Sequence, residues 1–156
     1  MGYFVAYVLA ILAVNIGFSY VPLIATPLGM LSPIAIAVGG IFVLRDYVQR
    51  SIGHHVLWGV GIGAVLSWWL ADPFVAIASV LAFVSSELAD WALYTITKKP
   101  FHQRVWVSSL LSTPIDTAVF LFWIDQMHVG TFILMVLSKL IAAAVIWTLG
   151  NKGVKV

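Results

Sequence analysis

The sequence predicts an all-α membrane protein, a compact bundle of six transmembrane helices in a single domain over residues 1–156. Three observations carry that expectation. Hydrophobic residues make up 62% of the chain and charged residues 9%, against about 25% charge in a soluble domain; the mean hydropathy is +1.06. Apolar stretches recur at the length of a spanning helix, about 20 residues. Basic residues also segregate between alternate connections. Arg45 and Arg50 fall at the second turn, Lys98, Lys99 and Arg104 at the fourth, and Lys152 and Lys155 at the C-terminus, whereas the odd-numbered connections hold only Asp72, Asp125 and His128. Seven of the eight basic residues thus share one side, which the positive-inside rule assigns to the cytoplasm. Both termini are expected there, in a multi-pass protein of the inner or plasma membrane.

Taken in order, span one runs from Gly2 to Tyr20. It has no basic region before it and exceeds a usual signal-peptide core, so it is expected to be retained. Val21 to Pro33 is apolar yet broken by Pro22, Pro27 and Pro33, and predicts a loop against the membrane or a re-entrant piece. Span two covers Pro33 to Gln49, with Pro33 suited to a first helical turn. Span three covers His55 to Leu70. Asp72-Pro73 makes a short turn, and span four continues from Pro73 to Thr97. Lys98 to Arg104 reads as the clearest loop. Spans five and six cover Val105 to Ile124 and Val129 to Leu149, the last ending at Gly150-Asn151 as a C-cap would. Trp58, Trp68, Trp69, Trp106, Trp123 and Trp147 fall near span ends, as interfacial anchors do.

The polar residues inside these spans are the candidates for function. A charged side chain at a helix centre costs roughly 2.5–3.5 kcal/mol on insertion scales, so Asp46, Glu87, Asp90 and Asp116 must be paired, neutralised or turned to a cavity. Arg45, Arg50 and Lys139 are the expected counterions. Asp46 and Arg50 are four apart and share a helix face, while Arg45 is placed to reach headgroups. Glu87, Asp90 and Tyr94 present two acids and a phenol on one face of span four. Span five carries Ser108, Ser109, Ser112, Thr113 and Asp116, with Pro114 freeing a carbonyl mid-helix. Asn15 is the one strongly polar residue of span one. Each of these also has a plain structural reading, as a salt bridge or an interhelical hydrogen bond.

Other chemistries find little support. With no cysteine, disulfides and thiolate chemistry are excluded. His54 and His55 are adjacent and cannot share a face, and no zinc motif, Gly-rich phosphate loop or nucleophile elbow occurs. No catalysis, cofactor, metal or nucleic-acid partner is expected.

The polar segments together resemble a known family. Phe42-Val43-Leu44-Arg45-Asp46-Tyr47-Val48-Gln49-Arg50-Ser51-Ile52-Gly53 looks like the second-helix signature of the vitamin uptake transporter (VUT) family, the queuosine precursor transporters. Ser86-Glu87-Leu88-Ala89-Asp90 resembles its fourth-helix motif, with Glu87 in place of the usual Gln. Ser108-Ser109-Leu110 through Asp116-Thr117 and Phe120 resembles its fifth-helix motif, with Thr113-Pro114 where Asn is common. Asn15 and Lys139 fall where members carry Asn and Lys.

The resemblance implies uptake of a 7-deazaguanine, such as 7-cyano-7-deazaguanine or its aminomethyl relative. Asp46, Glu87, Asp90 and Asp116 would accept hydrogen bonds from the adjacent N–H groups of a guanine-type edge. Phe42, Trp91 and Tyr94 would stack on the ring, and Asn15 would meet its carbonyl edge. Two other readings stand beside this one. One is a substrate-binding subunit of an energy-coupling factor importer, docking through Ala6 and Ala10. The other is a non-transporting membrane assembly or pore protein whose charges serve helix association. Self-association into a homo-oligomer and the energy source both stay open.

Overall fold

A computed structural model describes residues 2–70, 73–97 and 99–153. Asp72 of the expected third turn, and Lys98 and Lys155 of the basic groups, lie outside the described residues. The chain forms α1 (Gly2–Tyr20), a hairpin of β1 (Ile24–Thr26) and β2 (Gly29–Leu31), and α2 (Ile34–Ile52). A 3-10 turn (Gly53–His55) leads to α3 (Val56–Leu70), followed by α4 (Pro73–Ile96), α5 (Phe101–Trp123) and α6 (Val129–Asn151).

Four of these helices are long and apolar enough to cross a membrane: α1, α5, α6 and the Ile77–Ile96 part of α4. The expected six spans are corrected to these four. Helix α3 has 15 residues, short of the about 20 that span a hydrocarbon core. Helix α2 has the length but carries Arg45, Asp46 and Arg50 within 19 residues.

The expected loop from Val21 to Pro33 is instead an antiparallel hairpin pairing Ile24 with Leu31, Ala25 with Met30 and Thr26 with Gly29. Pro27 presets its own φ at the turn. Gly29 sits at φ 141°, a backbone region that favours glycine. Thr26 Oγ1 closes the turn by donating to Gly29 O at 2.6 Å. The hairpin docks on the first turn of α6, where Met30 N donates to Thr131 Oγ1 at 3.0 Å. Two other boundaries move. Phe101 to Arg104, expected in a loop, form the first turn of α5, and α6 runs on through Gly150 to Asn151.

Helix α2 is the axis of the bundle. Its residues enter all three apolar clusters: Ile41 and Val48 pack with Tyr7, Ile11, Val56, Val60 and Phe83; Ala35 with Phe120, Leu121 and Met135; and Val43 with Val105 and Ala143. Gly39 makes its approach to α6 possible, since a Cβ there would overlap the Lys139 carbonyl oxygen. On the other flank, Gly59 and Gly63 of α3 lie against Tyr7 and Ile11 of α1, the small-residue contact of packed membrane helices.

Burial is distributed as lipid demands. Trp58, Trp69, Phe122 and Leu137 are exposed, whereas Asn15, Ser67, Ser86, Thr113, Thr117, Arg45, Asp46, Glu87, Asp90, Asp116 and Lys139 are buried. With no water in the hydrocarbon core, polar groups reduce their cost by turning toward one another.

Candidate functional site

Three helices bring the first group together. Arg45 of α2 is fully buried, and its Nη2 contacts both Asp46 Oδ1 on the same helix and Asp90 Oδ2 on α4. Its Nη1 donates to Gln49 Oε1 at 2.7 Å. Its Nε lies 3.6 Å from Glu87 Oε2, an ion pair beyond hydrogen-bond length. From α1, Tyr7 Oη donates to the same Glu87 oxygen at 2.6 Å. Ser108 and Ser112 of α5 lie beside Asp90. The planar fork of Arg45 suits this arrangement, because its separate N–H donors serve several acceptors at once. Three carboxylates surround one guanidinium, so the group carries a formal charge of −2 if all ionise.

A second group lies on α5 and α6. Lys139 Nζ donates to Asp116 Oδ2 at 2.5 Å and to Thr117 Oγ1 at 3.0 Å. Ser86 of α4, next in sequence to Glu87, donates to Asp116 Oδ1 at 3.3 Å and so ties the two groups together. A third group holds Asn15. Its Nδ2 donates to Ser67 Oγ of α3 at 2.8 Å and Ser79 of α4 donates to its Oδ1. Between the second and third groups is a hollow of about 20 Å³ lined in part by Asn15, Phe18, Ser79, Phe83, Asp116, Phe120 and Lys139. That is room for one water.

The residues singled out in the sequence thus divide. Asp46, Glu87, Asp90 and Arg45 converge, and Asn15, Asp116 and Lys139 share the hollow. Asp46 takes Arg45 as its partner instead of Arg50. Arg45 is wholly interior and does not reach for headgroups, because three carboxylates hold it there. Arg50 lies over the Phe101 ring, 4.7 Å from its centroid. Trp91 donates from Nε1 to His54 Nδ1 of the 3-10 turn at 3.0 Å. Phe42 is fully buried and does not line the hollow. Tyr94 stands beside the first group, with Arg45 Cζ 5.7 Å from its ring centroid.

Sequence reasoning missed Tyr7, Gln49, Ser67, Ser79 and Thr95. The signal for Tyr7 was present: Tyr7, Ile11 and Asn15 are spaced by four and are the buried residues of α1. Gln49 Nε2 donates to Thr95 Oγ1 at 2.9 Å, carrying the Arg45 network toward the end of α4.

Among the described residues, no three His, Asp or Glu side chains are placed to hold a metal ion. Comparison with protein-family models, curated proteins and solved structures finds no match.

Proposed function

We propose that this chain is a membrane transporter for a small planar hydrogen-bond donor, a 7-deazaguanine precursor of queuosine. In this reading the bundle sits in the inner membrane with both termini in the cytoplasm, and α2 and α3 pack against the four helices long and apolar enough to cross it. The observation that carries the proposal is the convergence of Asp46, Glu87 and Asp90 on a single guanidinium. Helix-bundling charges gain nothing from two carboxyl groups beyond the one that a guanidinium matches, since each costs several kcal/mol by order of magnitude to bury if ionised and forms no ion pair if protonated. Adjacent N–H groups on a guanine-type edge would offset that excess. The ordered likeness of α2, α4 and α5 to the vitamin uptake transporter motifs points the same way.

A hollow of about 20 Å³ does not admit a bicyclic ring, so the structure corresponds in this reading to a closed state. Entry of the base requires Lys139 and Arg45 to exchange partners as helices part. The same compactness favours a second reading, in which the ion pairs only fasten helices and no small molecule binds.

Expression in cells unable to make the deazapurine, with 7-cyano-7-deazaguanine supplied outside, separates the two. Transport restores queuosine to tRNA, and Asp90→Asn or Asp116→Asn proteins that still reach the membrane do not. If the wild-type chain is in the membrane and queuosine stays absent, the fastening role stands.

A further inference from the structure

At one end of the bundle, α2, α4 and α5 enclose a pocket of about 510 Å³ whose chemistry differs from that of the buried groups. Three cations, Arg50, Lys99 and Arg104, line it beside His54, and no carboxylate does among the described residues. Two of the cations are held in place by aromatic faces. Arg104 Cζ lies 5.1 Å from the Tyr94 ring centroid, with its Nε donating to Lys99 O at 2.8 Å, and Arg50 lies over Phe101. Phe101 opens α5, so the positive end of that helix's dipole adds to the field in the pocket. The Gln49–Thr95 hydrogen bond forms part of its wall.

We propose that this pocket binds the phosphate group of an anionic ligand. Lys99 and Arg104 both bring positive charge to this pocket, and a guanidinium carries several N–H donors that suit the oxygens of a tetrahedral anion. The place in the fold favours a phospholipid headgroup as the source. The pocket lies where helices end, at the level where basic pockets between membrane helices meet anionic headgroups. The 3-10 turn that supplies Gly53 and His54 to it also supplies His55 to an apolar groove of about 500 Å³, which includes Phe4, Ile52 and Trp58. Headgroup and acyl chain would then flank one turn. Free inorganic phosphate offers the same oxygens and is the other source to be tested.

The test uses the purified full-length chain in detergent, read by native mass spectrometry and by its melting temperature. The wild type is expected to retain dioleoylphosphatidylglycerol in preference to dioleoylphosphatidylcholine and to melt higher with the former. Each basic side chain replaced should weaken retention about fivefold. Lys99→Glu leaves both ring contacts in place and so reports on charge with the fold intact; Lys99→Gln/Arg104→Gln should lose more, and Arg104→Lys should keep most of the preference. Protection by sodium phosphate over sodium chloride, lost in Lys99→Glu without any lipid preference, would assign the site to a soluble phosphate. Equal retention of both lipids together with no phosphate protection overturns the proposal.

Discussion

Tyr7 of α1 donates its phenolic proton to Glu87 of α4 at 2.6 Å, and neither residue is exposed. The bond crosses the bundle between two helices that otherwise meet sparsely, and it fills one of four acceptor positions that a carboxylate offers. Glu87 Oε1 has no hydrogen-bond partner. Tyr7→Phe should therefore destabilise by about 1–3 kcal/mol, the cost of orphaning a buried polar group. Thermal unfolding in detergent measures it. Glu87→Gln, which retains an acceptor for Tyr7, should lower stability less than Tyr7→Phe does. The reverse order would mean that the hydroxyl is not what satisfies Glu87.

Arg45 should not tolerate lysine. Its Nη1 and Nη2 serve Gln49, Asp46 and Asp90 in different directions, and a single ammonium cannot reproduce that fork. Arg45→Lys is expected to cost about 2–4 kcal/mol, from charge-assisted bonds lost inside the bundle. Adding Asp46→Asn should restore part of the loss by removing one unmatched charge. Equal melting temperatures for wild type and Arg45→Lys would count against this geometry.

The Asp116–Lys139 pair lends itself to a double-mutant cycle. Asp116→Asn alone, or Lys139→Met alone, leaves one buried charge without its partner and should cost about 3–5 kcal/mol. The double variant should cost clearly less than the two together. Additive losses would show that the pair does not interact in the folded protein.

Neighbouring glycines of α2 give a sharper contrast. Gly39→Ala would press a methyl into the Lys139 carbonyl and drive α2 off α6, for about 1–3 kcal/mol by ordinary overpacking. Gly40→Ala meets nothing within 4 Å and should be neutral or stabilising by up to about 1 kcal/mol, through helix propensity. Similar behaviour of the two would refute the close α2–α6 contact.

Much of this was legible in the sequence for physical reasons. The polar stripe Ser108, Ser109, Ser112, Thr113, Asp116, Thr117 follows one face of a 3.6-residue repeat, and every member is buried. Lys139, the lone cation of an apolar helix, had few places to go but an acid. The partner of Asp46 was not legible. Spacing by four favoured Arg50, whereas the fold brings α4 beside α2 and makes the adjacent Arg45 the shared centre. Strands of three residues leave too little alternation for a period of two to be seen, so β1 and β2 were hidden among prolines. The spacing of Tyr7 with Ile11 and Asn15 marks a buried face, but a phenol in a greasy helix reads as packing until its acceptor is known.

The Met30–Thr131 hydrogen bond reaches beyond the hairpin that makes it. Because β1 follows α1 and β2 leads into α2, one bond to α6 clasps three helices at a single rim of the protein. Any rocking of α2 against α6 must either break that clasp or pivot around it. A chain with a residue inserted between Thr26 and Gly29 should lose this fulcrum before it loses its fold.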